Sequence, residues 1–129
     1  MESSSILEDT KKLLGLPQEY TIFDLDITVH INSMFSKLYQ LGVDPLSVGK
    51  PFAIKDATTK WSDFLGLETS SIESIKTYIY IGVRLVFDPP QNSFVVTSLK
   101  EQMQELEWRI HFESEVTKNE VADSEVTNA

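Results

Sequence analysis

The chain has 129 residues, 41% of them hydrophobic, which suffices for one domain whose core needs neither metal nor disulfide. Eleven lysines and arginines stand against twenty acidic residues, a net charge of −9, and that balance argues against the cationic surface that nucleic acid or anionic lipid requires. With no cysteine, thiol catalysis, thiolate metal sites and disulfides are excluded, and the usage fits a reducing compartment.

From Met1 to Lys12 no basic stretch precedes an apolar core, so no signal peptide is expected. No apolar run reaches bilayer-spanning length, and a soluble protein made in the cytoplasm is expected. Ser3, Ser4 and Ser5 precede Ile6 to Leu14, and Gly15 and Pro17 close the run. This predicts a short capped helix with an apolar stripe of Ile6, Leu7, Leu13 and Leu14. Thr21 is placed to cap a longer helix over Ile22 to Leu41, with Gly42 where glycine takes up the left-handed turn. Its Ile27, Ile31, Met34, Leu38 and Leu41 recur at alternating spacings of four and three, a seam that packs between nearly antiparallel helices.

Between Val43 and Thr69 the periodicity loosens around Pro45, Gly49 and Pro51, which predicts an ordered loop that reaches a partner. A short helix within Thr58 to Leu65 turns Trp61, Phe64 and Leu65 inward, so that Trp61 pins the loop to the body.

The most apolar stretch follows. From Ile75 to Phe87 only Lys76, Thr77, Gly82 and Arg84 interrupt it, a pattern for a helix buried on most sides. Ser70 and Glu73 fit a capping box at its start, and Asp88-Pro89-Pro90 stops it, because proline lacks the donor and disfavours helical geometry before it. Gly82 costs about 1 kcal/mol relative to alanine. Close approach of another helix would offset that cost, and this is read as the central helix of a bundle. Tyr78 and Tyr80 read as core residues whose hydroxyls reach the rim.

Ser93 is placed to cap a last helix with a seam of Val96, Leu99, Met103, Leu106 and Ile110. Trp108 lies about 200° round the wheel from Leu106, on the polar side with Thr97, Glu101 and Gln104. It is either covered by the loop or first helix, or it is an exposed anchor beside Arg109 of the kind interfaces favour. From Glu113 to Ala129 the chain is acidic and lacks aromatics, so a flexible acidic tail is expected. The fold class is therefore all-α: a small bundle of about four to five helices with a long central loop. Residues 1–112 form the helical domain and 113–129 the tail.

Chemistry finds no foothold. His30 follows Asp26 by four residues and His111 follows Glu107 likewise, but neither helix offers the third ligand a metal needs. Asp24 with Asp26, and Glu105 with Glu107, diverge on a helix and cannot share a proton-transfer site. There is no phosphate-cradling loop, no nucleophile elbow and no His-Glu-x-x-His. No catalytic, cofactor or metal residue is assigned. The candidate protein-interface residues are Lys50, Phe52, Lys55, Asp56, Trp61, Trp108, Arg109 and Phe112.

The order of short motifs carries a resemblance. Ile6-Leu-x-x-x-Lys-x-Leu-Leu-Gly-Leu16, Tyr20-Thr-x-Phe-Asp24, His30-Ile-Asn32, Gln40-Leu-Gly-Val43, Trp61-x-Asp-Phe64, Lys76-Thr-Tyr-x-Tyr80, Phe87-Asp-Pro-Pro90 and Leu106-Glu-Trp-Arg109 resemble tailed-phage head-to-tail connector (adaptor) proteins, which dock beneath the portal ring. The likeness covers Ile6 to about Phe112. It implies an all-helical structural subunit of the virion, not an enzyme, with no cofactor and no membrane. It further implies a homo-oligomeric ring, commonly dodecameric, between portal protein and the next tail component, with DNA passing through the channel without specific binding. Two other readings rank below it: a small acidic helical DNA mimic that inhibits a nuclease or repressor, and an enzyme with no indicated substrate.

Overall fold

The computed structural model describes residues 3–65 and 72–127, with side chains as far as residue 116. Five helices account for the described fold: α1 (Ile6–Leu13), α2 (Asp24–Gln40), α3 (Trp61–Leu65), α4 (Ile72–Phe87) and α5 (Ser93–Thr127). Among the described residues the only β feature is an isolated bridge between Ser5 and Lys60.

α4 is central. It lies between α2 and α5, and α1 closes against α2 and α4. Phe23, just before α2, meets Phe87 at the end of α4, with ring centroids 5.3 Å apart. At the other end Leu41, just after α2, accepts from Ser114 Oγ of α5 at 3.1 Å. α2 and α5 therefore run parallel, and α4 runs antiparallel to both. The expected seams do the packing: Ile27, Ile31, Met34 and Leu38 of α2, and Met103 and Ile110 of α5, are buried against Ile75, Tyr78, Ile79 and Val83.

Gly82 is the close-approach point expected of it. A Cβ there would lie 2.2 Å from Met34 Sδ and 2.3 Å from its Cε, so α2 reaches the α4 backbone only because the side chain is absent. Tyr78 is fully buried, and its hydroxyl donates to Glu107 on α5 at 3.0 Å. Burial and the adjacent Glu107 carboxylate push its ionisation well above the usual tyrosine range.

Helix ends follow the chain's own signals in most places. Ser5 accepts from the Glu8 N–H to cap α1. At the end of α2, Gly42 takes φ 101°, and the N–H groups of Gly42 and Val43 donate to Tyr39 and Leu38, the paired Schellman bonds. Phe87 is the last residue of α4, as the double proline requires. The capping role expected of Ser70 lies outside the described residues.

Four expectations are corrected. α2 begins at Asp24 with no side-chain cap; Thr21 contributes only its carbonyl, which accepts from Asp24 N–H. Asn92, not Ser93, caps α5, its Oδ1 accepting from Phe94 N–H at 2.8 Å. On α1, Leu13 is exposed, whereas Thr10 and Lys11 are buried with Ile6 and Leu7. Finally, α5 does not stop near Phe112 but runs to Thr127, through a stretch that contains neither glycine nor proline to break it.

Candidate protein-docking surfaces

One end of the bundle carries α2's start, α4's end and α5's start. The linker from Gly15 to Phe23 is held there from inside. The Lys11 ammonium, buried beneath it, donates to the Gln18 carbonyl at 2.9 Å and pairs with Asp24 at 2.9 Å. Gln18 Nε2 in turn donates to Glu8. So fixed, the linker presents Tyr20, Ile22 and Phe23, and edge-on ring contacts join Tyr20 to Phe23 and Phe23 to Phe87. Ile22, Leu25, Val86 and Phe94 are exposed at the same end, Phe94 by 85%. So many large apolar side chains at one end of a small domain mark a surface built to be covered.

The opposite end carries the loop after α2. Asn32 brackets the loop: its Oδ1 accepts from Ile54 N–H at 2.7 Å and its Nδ2 donates to the Ile54 carbonyl at 3.1 Å. The Asp44 carboxylate accepts from the N–H groups of Val48 and Gly49, which fixes the turn at the loop's tip. Phe35, Phe52 and Phe64 stack edge to face beneath, and together they floor an open groove of about 380 Å³ with Leu46, Val48 and Lys50 at its rim.

α5 passes this end. His111 Nδ1 sits 2.9 Å from the Leu41 carbonyl, and just beside it Trp108 and Phe112 stack nearly parallel, centroids 5.5 Å apart. Trp108 is 68% exposed. With 35 residues α5 is about 52 Å long, against about 26 Å for the 17 residues of α2, so the bundle cannot cover it along its length. Its last 13 residues, past Ser114, span about 20 Å.

The residues singled out from sequence do not all come together. Trp108, Arg109 and Phe112 come together on the outer face of α5, Arg109 donating to Glu105 at 2.7 Å one turn back. Lys50 and Phe52 meet at the groove. Lys55 and Asp56 are exposed further along the loop, where Asp56 accepts from Thr58 N–H and Oγ1, bonds that lower its carboxyl pKa. Trp61 is buried, its indole N–H donating to Asp9 at 2.8 Å and its ring lying under the Lys76 ammonium. It pins the loop and offers no docking face. The apolar end around Ile22 was not read from sequence. The signal was present, because Ile22, Leu25 and Val29 repeat at three and four, out of phase with the buried seam.

Among the described residues no helix is long and apolar enough to cross a membrane, and no three His, Asp or Glu side chains converge as a metal site. The family model for phage connector proteins matches residues 6–117. The chain belongs to the phage connector family. No curated protein and no solved structure matches it. In this connector the matched span takes in the whole bundle, the groove and the aromatic pair on α5, and ends just past Val116.

Proposed function

We propose that this connector is the head-to-tail adaptor subunit of a virion: a structural protein that forms a ring between portal and tail and continues the DNA channel. The observation that carries this reading is polarity. The apolar end around Ile22, Phe23 and Phe94, and the groove-and-helix end around Trp108, lie at opposite ends of the bundle axis. A part that joins two different neighbours needs two such surfaces, whereas an inhibitor of one target needs only one.

A role without chemistry is consistent with where the carboxylates go. Asp9 holds Trp61, Asp44 and Asp63 cap loop N–H groups, and Glu107 serves Tyr78. These four carboxylates are turned onto the protein's own donors and are withheld from the regular outward rows that a DNA mimic requires. The net charge of −9 per copy, multiplied round a ring, would give the channel a field that repels phosphate and lets DNA slide. The acidic stretch past Val116 is the part we assign to contact with the portal.

The test is solution mass together with electron microscopy of the purified chain, alone and with its portal. A ring, or a ring that needs the portal, is expected. A persistent monomer that ignores portal and binds a nuclease overturns the reading, and a basic channel lining in an assembled ring overturns the electrostatic part.

A further inference from the structure

The ridge on α5 and the groove on the loop side stand at the same level of the subunit, since both adjoin Leu41: the loop begins there and His111 touches its carbonyl. They are nevertheless different faces. α4 lies between α2 and α5, and Trp108 points away from the α4-facing seam, so a copy does not fill its own groove with its own ridge. We propose that, in the ring, the Trp108–Phe112 ridge of one copy seats in the loop groove of the next copy.

Shape supports this pairing. The two stacked rings form a flat slab, with 8° between their planes, and the groove is an open, apolar-floored trough whose tip is already fixed by the Asp44 bonds. A pre-organised groove loses little freedom on binding. Leu46 and Val48 at its rim are half exposed or more, and no described residue covers them.

Charge supports it too. The groove is lined by one carboxylate and one ammonium. Asp44 is engaged by backbone N–H groups, which leaves Lys50 as the group that faces outward. The stripe on α5 reads Glu101, Glu105, Trp108, Phe112, Glu115, an aromatic centre between acids, with Arg109 turned back onto Glu105. Rim charges of opposite sign set the register of such a contact. Because ridge and groove are distinct patches, the contact is heterologous: it repeats from copy to copy, as a ring requires, instead of stopping at a two-fold dimer.

The absence of native cysteine makes the test clean. Lys50→Cys protein and Glu115→Cys protein, each retaining the ridge and the groove floor, are mixed at high concentration and mildly oxidised. The expected product is the mixed disulfide dimer, reduced about tenfold when Trp108→Ala is added to the Glu115→Cys chain. Because Trp108 is exposed, that variant should keep the wild-type melting temperature. Disulfides only between two Glu115→Cys chains would mean the ridge pairs with itself and would overturn the proposal. So would a mixed dimer indifferent to Trp108→Ala, or no mixed dimer at all. The proposal rests on the ring reading, yet the two fail separately. Rings by microscopy without the mixed disulfide sink this contact alone, whereas the mixed disulfide without rings keeps the contact and sinks the ring.

Discussion

Gly82→Ala opposes two effects of known size. Alanine favours the helix by about 1 kcal/mol over glycine. Its methyl carbon, however, would stand 2.2 Å from Met34 Sδ and 3.0 Å from Met34 Cγ, where relaxed contacts are about 3.5–4.0 Å. Met34 is 4% exposed and surrounded by core residues, so its thioether cannot step aside without displacing others. Overpacking of this kind costs about 1–3 kcal/mol, which puts the net effect at about 0–2 kcal/mol destabilising. Because a small net value proves little, the decisive quantity is the coupling to Met34. Met34→Ala alone should cost about 2–5 kcal/mol by leaving a cavity. In the Gly82→Ala background the same truncation also removes the clash and should cost at least about 1 kcal/mol less. Urea denaturation of the four chains at constant m-value measures this directly. Additivity within about 0.5 kcal/mol, or a Gly82→Ala chain stabilised by the full helix-propensity gain, would refute the close-approach account.

Lys11→Met should destabilise by about 2–3 kcal/mol, since the buried ammonium leaves Asp24 and the Gln18 carbonyl behind, and Lys11→Met/Asp24→Asn should lose less; hydrogen exchange should localise the change to residues 15–23. Tyr78 ionises higher in the folded chain than in the unfolded one. Stability is therefore fully present below pH of about 10 and falls as pH rises toward the folded value; Tyr78→Phe should flatten that alkaline slope in a pH series of urea melts. Asn32→Ala should cost about 1–3 kcal/mol by stranding the Ile54 N–H and carbonyl, with faster exchange at Ile54 as the local signature. Asp56 has a depressed pKa, so the support it gives its turn is present above the ordinary aspartate value and lost as pH falls through the folded value. Thr58→Val removes the hydroxyl donor but keeps the N–H, and should move that acid transition toward higher pH in the NMR shifts of residues 55–59.

The helices of the core could be read from the chain because their information is local. Periodicity gave the seams of α2 and α5, Gly42 and the double proline gave two stops, and the gap at Gly82 pointed to a neighbour. What escaped the sequence depends on partners distant along the chain. Nothing local marks Lys11 for burial; it is buried because Gln18 and Asp24, brought over it by the turn at Gly15, satisfy its donors. Trp61, read both as the pin of the loop and as an interface candidate, is the pin alone, its indole N–H taken by Asp9, whereas Trp108, open to either reading, stands outside. The length of α5 was missed for a different reason. Low hydrophobicity signals an inability to bury surface, and it was read as an inability to form helix, although extending a helix already nucleated in the bundle adds one hydrogen bond per residue.

The charge order along α5 is reversed with respect to its own backbone. Aligned peptide dipoles place partial negative charge at a helix C-terminus, where lysine or arginine is favourable and carboxylate is not. Yet the first turn of α5 has no acidic residue, the last turn has no basic one, and the stretch from Glu113 carries five acids against Lys118. Glu125, within that last turn, works against the helix that carries it, and the acids before it add to the negative charge. A cationic surface around this end would therefore be attracted by side chains and backbone dipole together, and would remove the self-repulsion at the same time. Binding and helix stabilisation at this end thus become one equilibrium, with a strong dependence on salt.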